Sequence, residues 1–143
     1  MPNNGFKFDQ AKARDWELIA DVGNILAPEG LTHVLLSGSG NLLVEERHEK
    51  ETGHKYEGRI DEGTSVGLLK NASQFDWERR FPPRPGLPDE AIVEWTLRSR
   101  EEGEGVATVK VWLRDAEKDR IMAPVLEELR RNVDRLTDGK LFL

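Results

Sequence analysis

Two stretches in the second half of the chain alternate apolar and polar residues, and this pattern constrains the fold more than any other feature. The apolar positions are Val93, Trp95 and Leu97 in residues 91–99, and Ala107, Val109, Val111 and Leu113 in residues 106–114. A period of two is typical of strands with one buried face. Residues 101–105, Glu-Glu-Gly-Glu-Gly, predict a hairpin loop between them, so the two strands should be antiparallel.

Three further strands are predicted in the first half of the chain, over residues 32–37, 42–48 and 54–60. Ser37-Gly38-Ser39-Gly40 between the first two is typical of a hairpin turn. Glycines can also bring backbone N–H groups close to a phosphate. However, a nucleotide-binding fingerprint needs a third glycine and a helix directly after it, whereas residues 42–44 continue as a strand. The turn is therefore the favoured interpretation.

Three amphipathic stretches predict helices. The first covers residues 9–27, with Asp9 as the cap, and Pro28-Glu29-Gly30 ends it. The second begins near Thr64 or Ser65, and the third follows a possible cap at Asp119. Their apolar positions are Leu18, Ile19, Val22, Ile25 and Leu26; Val66, Leu69, Ala72 and Phe75; and Met122, Val125, Leu126, Leu129, Val133 and Leu136.

The predicted element order is α-β-β-β-α-β-β-α. Hairpin connections make the sheet antiparallel, and helices gathered on one face cover its apolar side. We therefore expect an α+β fold, with a single antiparallel sheet of about five strands. The 143 residues suit one domain over residues 1–143.

Composition excludes several classes of function. A net charge of −6, with charges of both signs interspersed, opposes binding to nucleic acid. The absence of cysteine excludes disulfides and cysteine-ligated metals. No stretch approaches the ~20 apolar residues of a membrane span, so we expect no membrane partner. The first residues lack the pattern of a signal peptide, which predicts a cytoplasmic protein.

The segment over residues 76–90 is the strongest candidate for an interaction site, because it holds four of the seven prolines together with aromatic and arginine residues. We expect the binding residues to be Trp77, Arg79, Arg80, Phe81 and Arg84. Residues 79–85 fit Arg-x-x-Pro-x-x-Pro, which in polyproline II form docks into aromatic grooves. Two alternatives stay open: the aromatic side chains fold inward and the loop is structural, or the arginines bind an anion.

Two of the three histidines are candidate metal ligands. His48 and His54 flank a polar turn and can face each other across two strands, where Glu49 or Glu51 would complete a site. Solvated side chains at a loop tip are the simpler interpretation, and no recognised ligand spacing is present. We therefore predict neither a metal nor a cofactor. His33, at the entry to a strand, is predicted to be a partly buried packing residue.

Trp112 lies on the otherwise polar face of its predicted strand. We expect it to be covered by the helix over residues 9–27, which offers Trp16, or by the apolar tail 141–143. The alternative is that a second copy of the chain covers it, which would make the protein a homodimer.

The order of sequence features from Leu36 to Leu136 is similar to that of two groups of small domains. It comprises a Gly-x-Gly hairpin at Gly38 and Gly40, a helix ending in Phe75, a loop with Pro88-Asp89, the strand pair and a leucine-rich closing helix. This resembles small bacterial domains of unknown function and, more distantly, the emfourin-type inhibitors of metalloproteases. The resemblance implies a β-β-α-β-β-α core and, for the inhibitors, protein binding without catalysis.

Two functional hypotheses follow. The first is a non-enzymatic protein-interaction or inhibitor-like domain. The second is a small-ligand or anion-binding protein, or an enzyme, that uses a cleft beside residues 76–90. The sequence contains no recognised catalytic motif, which favours the first hypothesis but leaves enzymatic activity open.

Overall fold

The computed structural model describes residues 8, 10–23, 30–48, 52–81, 90–100, 106–141 and 143. They form an α+β fold around one antiparallel sheet of six strands in the order β4-β3-β2-β1-β5-β6. The strands are β1 (Trp16–Gly23), β2 (Leu31–Ser37), β3 (Asn41–Arg47), β4 (Thr52–Arg59), β5 (Ile92–Ser99) and β6 (Val106–Trp112). The helices are α1 (Glu62–Ala72), α2 (Leu113–Ala116) and α3 (Met122–Thr137), and a 3-10 helix covers Gln10–Asp15.

The predicted helix over residues 9–27 is wrong, and β1 takes its place in the middle of the sheet. The side chains of Trp16, Leu18, Ala20 and Val22 alternate into the core. Ile19 is also buried, although it faces the opposite side of the sheet. A central strand can carry apolar side chains on both faces, and apolar and polar residues then no longer alternate strictly along it. In β1 the resulting spacing of apolar residues resembles that of an amphipathic helix. Residues 9 and 24–27 of that prediction lie outside the described ranges.

The other five predicted strands are confirmed, with ends that shift by at most two residues. The last strand ends at Trp112 because Leu113 begins α2, a helix that the sequence did not indicate. The α+β class and the antiparallel sheet are thus as predicted. The sheet has six strands instead of about five, and β1 stands where the first helix was predicted.

One face of the sheet carries the core, and α1 and α3 pack on it. Asp61 caps α1, accepting a 3.1 Å hydrogen bond from the N–H of Thr64, so the helix begins earlier than predicted. The N-cap position of α3 is Ile121, two residues after the predicted cap. Asp119 still accepts hydrogen bonds from the N–H groups of Ile121 and Met122 at the start of the helix, both at 2.9 Å. Leu129 of α3 is buried, as the helix pattern predicts.

The opposite face of the sheet has no helix of the described residues packed on it, and we call it the helix-free face. None of the helices in the described ranges has the length and apolar content that a membrane span requires.

Candidate binding surface

The segment that follows α1 first enters the core. Trp77 is buried, its ring lies 5.4 Å from that of Phe75, and its Nε1 donates a 3.1 Å hydrogen bond to the carbonyl oxygen of Ala72. Trp77 was predicted as a binding residue. The structure places it inside the protein, in the arrangement of the structural alternative.

Arg79 then connects the segment to the start of α3. Its Nη1 lies 3.1 Å from Oδ2 of Asp119, and both side chains are partly buried. Because Asp119 also accepts two backbone N–H groups at the start of α3, it fixes the position of the segment relative to that helix. Arg79 is therefore placed as an anchor of the segment.

Phe81 ends the described part of the segment on the other side of the sheet. Its ring lies 4.8 Å from that of Trp112, and Nζ of Lys110 lies 5.9 Å from the centre of the Phe81 ring. Val111 faces the core, so the neighbouring Trp112 faces away from it. The segment thus leads from the helix-covered face at Trp77 to the helix-free face at Phe81, close to the end of β6.

This path explains what covers Trp112. The predicted cover by a helix over residues 9–27 is wrong, because residues 16–23 of that stretch form β1. Among the described residues, Phe81 makes a ring contact with Trp112 instead. Phe81 itself stays 36% exposed, and the side chain of Arg80 is exposed beside it. Arg84, the fifth predicted residue, lies outside the described ranges.

A groove of about 360 Å³ adjoins Lys110 on the helix-free face. Leu31, Gly23 and Ile92 are direct neighbours across β2, β1 and β5. Gly23 has no side chain and a φ of +134°, so the sheet dips between the apolar walls Leu31 and Ile92. The remaining lining residues are Asp21, Arg47, Glu94 and Lys110. The groove therefore combines apolar walls with charges of both signs.

A row of ionisable side chains crosses all six strands next to this dip. Its members in order are Lys55, Glu45, His33, Asp21, Glu94 and Lys110. Nδ1 of His33 lies 2.6 Å from Oδ1 of Asp21, and His33 is 7% exposed. His33 is thus more fully buried than the predicted partial burial, and it contacts a carboxylate. Its partner was missed because Asp21 fell within the wrongly predicted helix.

His48 and His54 both approach Glu46, a residue that the sequence did not single out. Nε2 of His48 lies 2.6 Å from one Glu46 oxygen, and Nδ1 of His54 lies 3.8 Å from the other. The hydrogen bond with His48 holds the pKa of Glu46 below its usual value. Within the described ranges, no cluster of three or more acidic, histidine or cysteine side chains has a geometry that could hold a metal ion. Glu49 and Glu51 lie outside those ranges.

A second cavity, of about 400 Å³, lies at the other end of the sheet and was not predicted. Its polar lining includes Lys12, Arg14, Asp15, Ser39 and Arg100. Arg14 forms a 2.9 Å ion pair with Glu62. The cavity is separate from the Phe81 segment.

Comparisons with known proteins add no family to this description. No model of a protein family matches the sequence. A search of curated proteins also gives no match.

Proposed function

We propose that the chain is a non-enzymatic domain that binds another protein through the helix-free face, with Arg80 and Phe81 as contact residues. The observation that carries this proposal is the position of Phe81. A large apolar side chain is held 36% exposed, between the Trp112 ring and the Lys110 ammonium, at the margin of an open face. Exposed aromatic and arginine side chains are typical anchors of protein interfaces.

The segment that carries these two residues is fixed before any partner arrives. Trp77 is inserted in the core and Arg79 is tied to Asp119, so Arg80 and Phe81 follow two anchored positions. Ordering side chains on binding costs roughly 0.5–1.5 kcal/mol for each flexible side chain. Prior anchoring reduces that cost, because the backbone of the segment is already held in place.

The groove extends the same surface. Lys110 lines the groove and also lies over Phe81, so the two features are continuous. Apolar walls at Leu31 and Ile92 within a charged rim match the usual anatomy of an interface, in which an apolar centre is surrounded by polar residues. A partner that covers Phe81 can thus place a neighbouring side chain in the groove.

The resemblance to emfourin-type inhibitors makes a metalloprotease the first partner to test. An inhibitor has to present a rigid, exposed segment to the protease, and the anchored Arg80–Phe81 pair has both properties. In this form of the proposal, the bound domain blocks the protease without being a catalyst itself.

The groove supports a second candidate function. Its volume of about 360 Å³ lies within the usual range for small-molecule sites, roughly 300–1,000 Å³. A small anionic ligand between Arg47 and Lys110 is therefore the alternative, and it corresponds to a cleft beside the Phe81 segment.

The test uses two matched double variants. Arg80→Glu with Phe81→Ser changes the proposed contacts. Lys118→Glu with Ile121→Ser makes the same kinds of change at exposed positions before α3. Each protein is titrated into a metalloprotease assay, and each is immobilised to capture partners from cell extract. Thermal unfolding confirms that both variants are folded.

We expect the wild type and the control variant to inhibit the protease or retain the same captured protein. The contact variant should lose at least about tenfold in affinity, since interface anchors typically contribute 2 kcal/mol or more. Equal binding by all three proteins would overturn the assignment of Arg80 and Phe81. If the wild type captures no protein but a small anion raises its melting temperature, the second candidate replaces the first.

A further inference from the structure

The free edge of β6 is the feature that carries a further inference. The N–H of Leu113 donates to the carbonyl oxygen of Ala91, and this bond shows which residues of β6 direct their peptide groups toward β5. In an antiparallel pair, hydrogen-bonded positions alternate along each strand. Residues 107, 109 and 111 therefore bond to β5, and the peptide groups of Val106, Thr108 and Lys110 point outward. Among the described residues, none of the peptide groups of Val106, Thr108 and Lys110 has a hydrogen-bond partner on that outer side.

The opposite edge of the sheet, β4, is protected. The N–H of Ile60 donates to the carbonyl oxygen of Gly40, so Ile60 faces β3. Because hydrogen-bonded positions alternate, the peptide groups of Lys55, Glu57 and Arg59 point outward. All three of these residues are charged, and the pairing of β3 with β4 contains a register shift. Charges and bulges are the usual means by which edge strands avoid pairing with other chains. On β6 the corresponding outward positions carry one charge, on Lys110.

Two exposed apolar side chains lie at the two ends of this unprotected edge. Val106, at the start of β6, is 59% exposed, and Phe81, beside Lys110 and Trp112, is 36% exposed. Ile121 is the third large apolar side chain that the described residues expose. Most of this exposed apolar surface therefore flanks one strand.

We propose that two copies of the chain pair their β6 strands edge to edge, antiparallel, about a two-fold axis at Thr108. This position of the axis uses the outward peptide groups of all three residues, because Thr108 then pairs with Thr108 of the second copy, and Val106 pairs with Lys110. The two lysines lie at opposite ends of the paired strands and do not repel each other directly. The six-stranded sheet continues into a sheet of twice that width.

The same register places the exposed apolar side chains together. Val106 of one copy lies opposite Lys110 of the other, and Phe81 lies beside that lysine. The side chains that each monomer leaves exposed at the ends of β6 therefore cover one another, twice in each dimer. This complementarity favours a second copy of the chain over an unrelated strand. The dimer and the partner of the proposed function both use Phe81 and Lys110, so a second copy of the chain competes with that partner. The two proposals can still fail separately, because Thr108, the position of the axis, is not a contact residue of the proposed function.

The test is the mass in solution, measured by sedimentation equilibrium over a range of concentrations. The wild type should approach twice the 16.3 kDa of one chain. Thr108→Lys places two lysines opposite each other at the axis, and Thr108→Glu does the same with two carboxylates. Each variant should dimerise at least about tenfold more weakly, because like charges across an interface are strongly unfavourable. Thr108 is exposed in the monomer, so both variants should fold.

The decisive measurement is the association of an equimolar mixture of Thr108→Lys and Thr108→Glu. Lysine opposite glutamate replaces repulsion by attraction, so the equimolar mixture should associate more strongly than either variant alone. Glu57→Lys, an outward position on β4, is the matched control and should leave the wild-type association unchanged. A wild type that is monomeric up to roughly 1 mM overturns the proposal. So does a mixture that associates no better than its components, or a Glu57→Lys variant that is weakened equally.

Discussion

Arg79 and Asp119 lie 40 residues apart in the sequence, and a 3.1 Å ion pair joins their side chains. The other oxygen of Asp119 accepts the N–H groups of Ile121 and Met122. A single carboxylate thus holds both the segment that leads to Phe81 and the first turn of α3. Loss of this carboxylate should affect both features together.

The first prediction concerns pH. Burial opposes the charge on Asp119, but the hydrogen bonds from Met122 and Ile121, together with the charge of Arg79, outweigh it and lower its pKa. Because the pKa is lower in the folded state, this contribution is complete above the usual value of about 3.9 and is lost as the pH falls through the folded-state pKa. Asp119→Ala should cost roughly 1–2 kcal/mol at pH 7. Urea unfolding at pH 7 and at pH 2.5 measures the difference.

The difference between wild type and Asp119→Ala should shrink at the lower pH. Glu46, whose pKa is also lowered, gives a pH dependence of the same sign in both proteins, so the comparison isolates Asp119. A difference that is equal at the two pH values would show that the charge of Asp119 contributes nothing.

The second prediction tests the packing of α3 on the sheet. Leu129 is 1% exposed, and Leu129→Ala removes three buried carbon atoms and leaves a cavity. The free energy of unfolding should fall by roughly 2–5 kcal/mol. Arg131→Ala, on the exposed side of the same helix, is the control and should leave the urea midpoint close to that of the wild type. An unchanged midpoint for Leu129→Ala would contradict the assigned helix face.

The third prediction compares two glycines. Gly67 lies within α1, and a Cβ atom there meets nothing within 4 Å. Gly67→Ala should stabilise the protein by about 0.5–1 kcal/mol, because alanine loses less backbone entropy in a helix. Gly38 lies in the turn between β2 and β3, where a Cβ atom would overlap the carbonyl oxygen of Ala13. Gly38→Ala should destabilise by roughly 1–3 kcal/mol or more.

Urea unfolding of both glycine variants measures these opposite signs. Equal effects of the two substitutions would mean that the turn does not lie against the 3-10 helix.

The fourth prediction concerns the cover of Trp112. Phe81→Ala should expose the indole ring, shift tryptophan emission to longer wavelength and increase quenching by acrylamide. Trp16, Trp77 and Trp95 are buried at other positions and should not respond. Ile121→Ala removes another exposed apolar side chain and serves as the control. Quenching that is equal in the two variants would show that Phe81 does not shield Trp112.

Local patterns predicted the strands that have one apolar face. β5 and β6 alternate cleanly because their outward side chains are mostly polar, such as Glu94 and Lys110. β1 has two neighbours and an apolar residue, Ile19, on its second face. The sequence around it therefore lacks the alternation that identifies a strand. The position of a strand in the sheet determines whether one or both of its faces are buried. That position cannot be derived from the residues of the strand alone.

The candidate surface was predicted only in part for the same reason. The proline-rich composition drew attention to residues 76–90, but it did not indicate that Phe81 lies on the helix-free face beside Trp112. The contact between Phe81 and Trp112 joins residues from separate elements. The groove depends on Gly23 lying between Leu31 and Ile92, and this arrangement exists only once β1 is known to be a central strand.

The central place of β1 has a consequence for how the chain is made. β1 can pair with β2 soon after both are synthesised. Its other edge pairs with β5, and residues 24–91 separate Gly23 from its partner Ile92, so this edge stays unpaired until much later in synthesis. Until β5 leaves the ribosome, an apolar strand presents free backbone groups to the cell. Nascent chains stalled before residue 92 should therefore aggregate or recruit chaperones, whereas chains that include β5 close this edge internally.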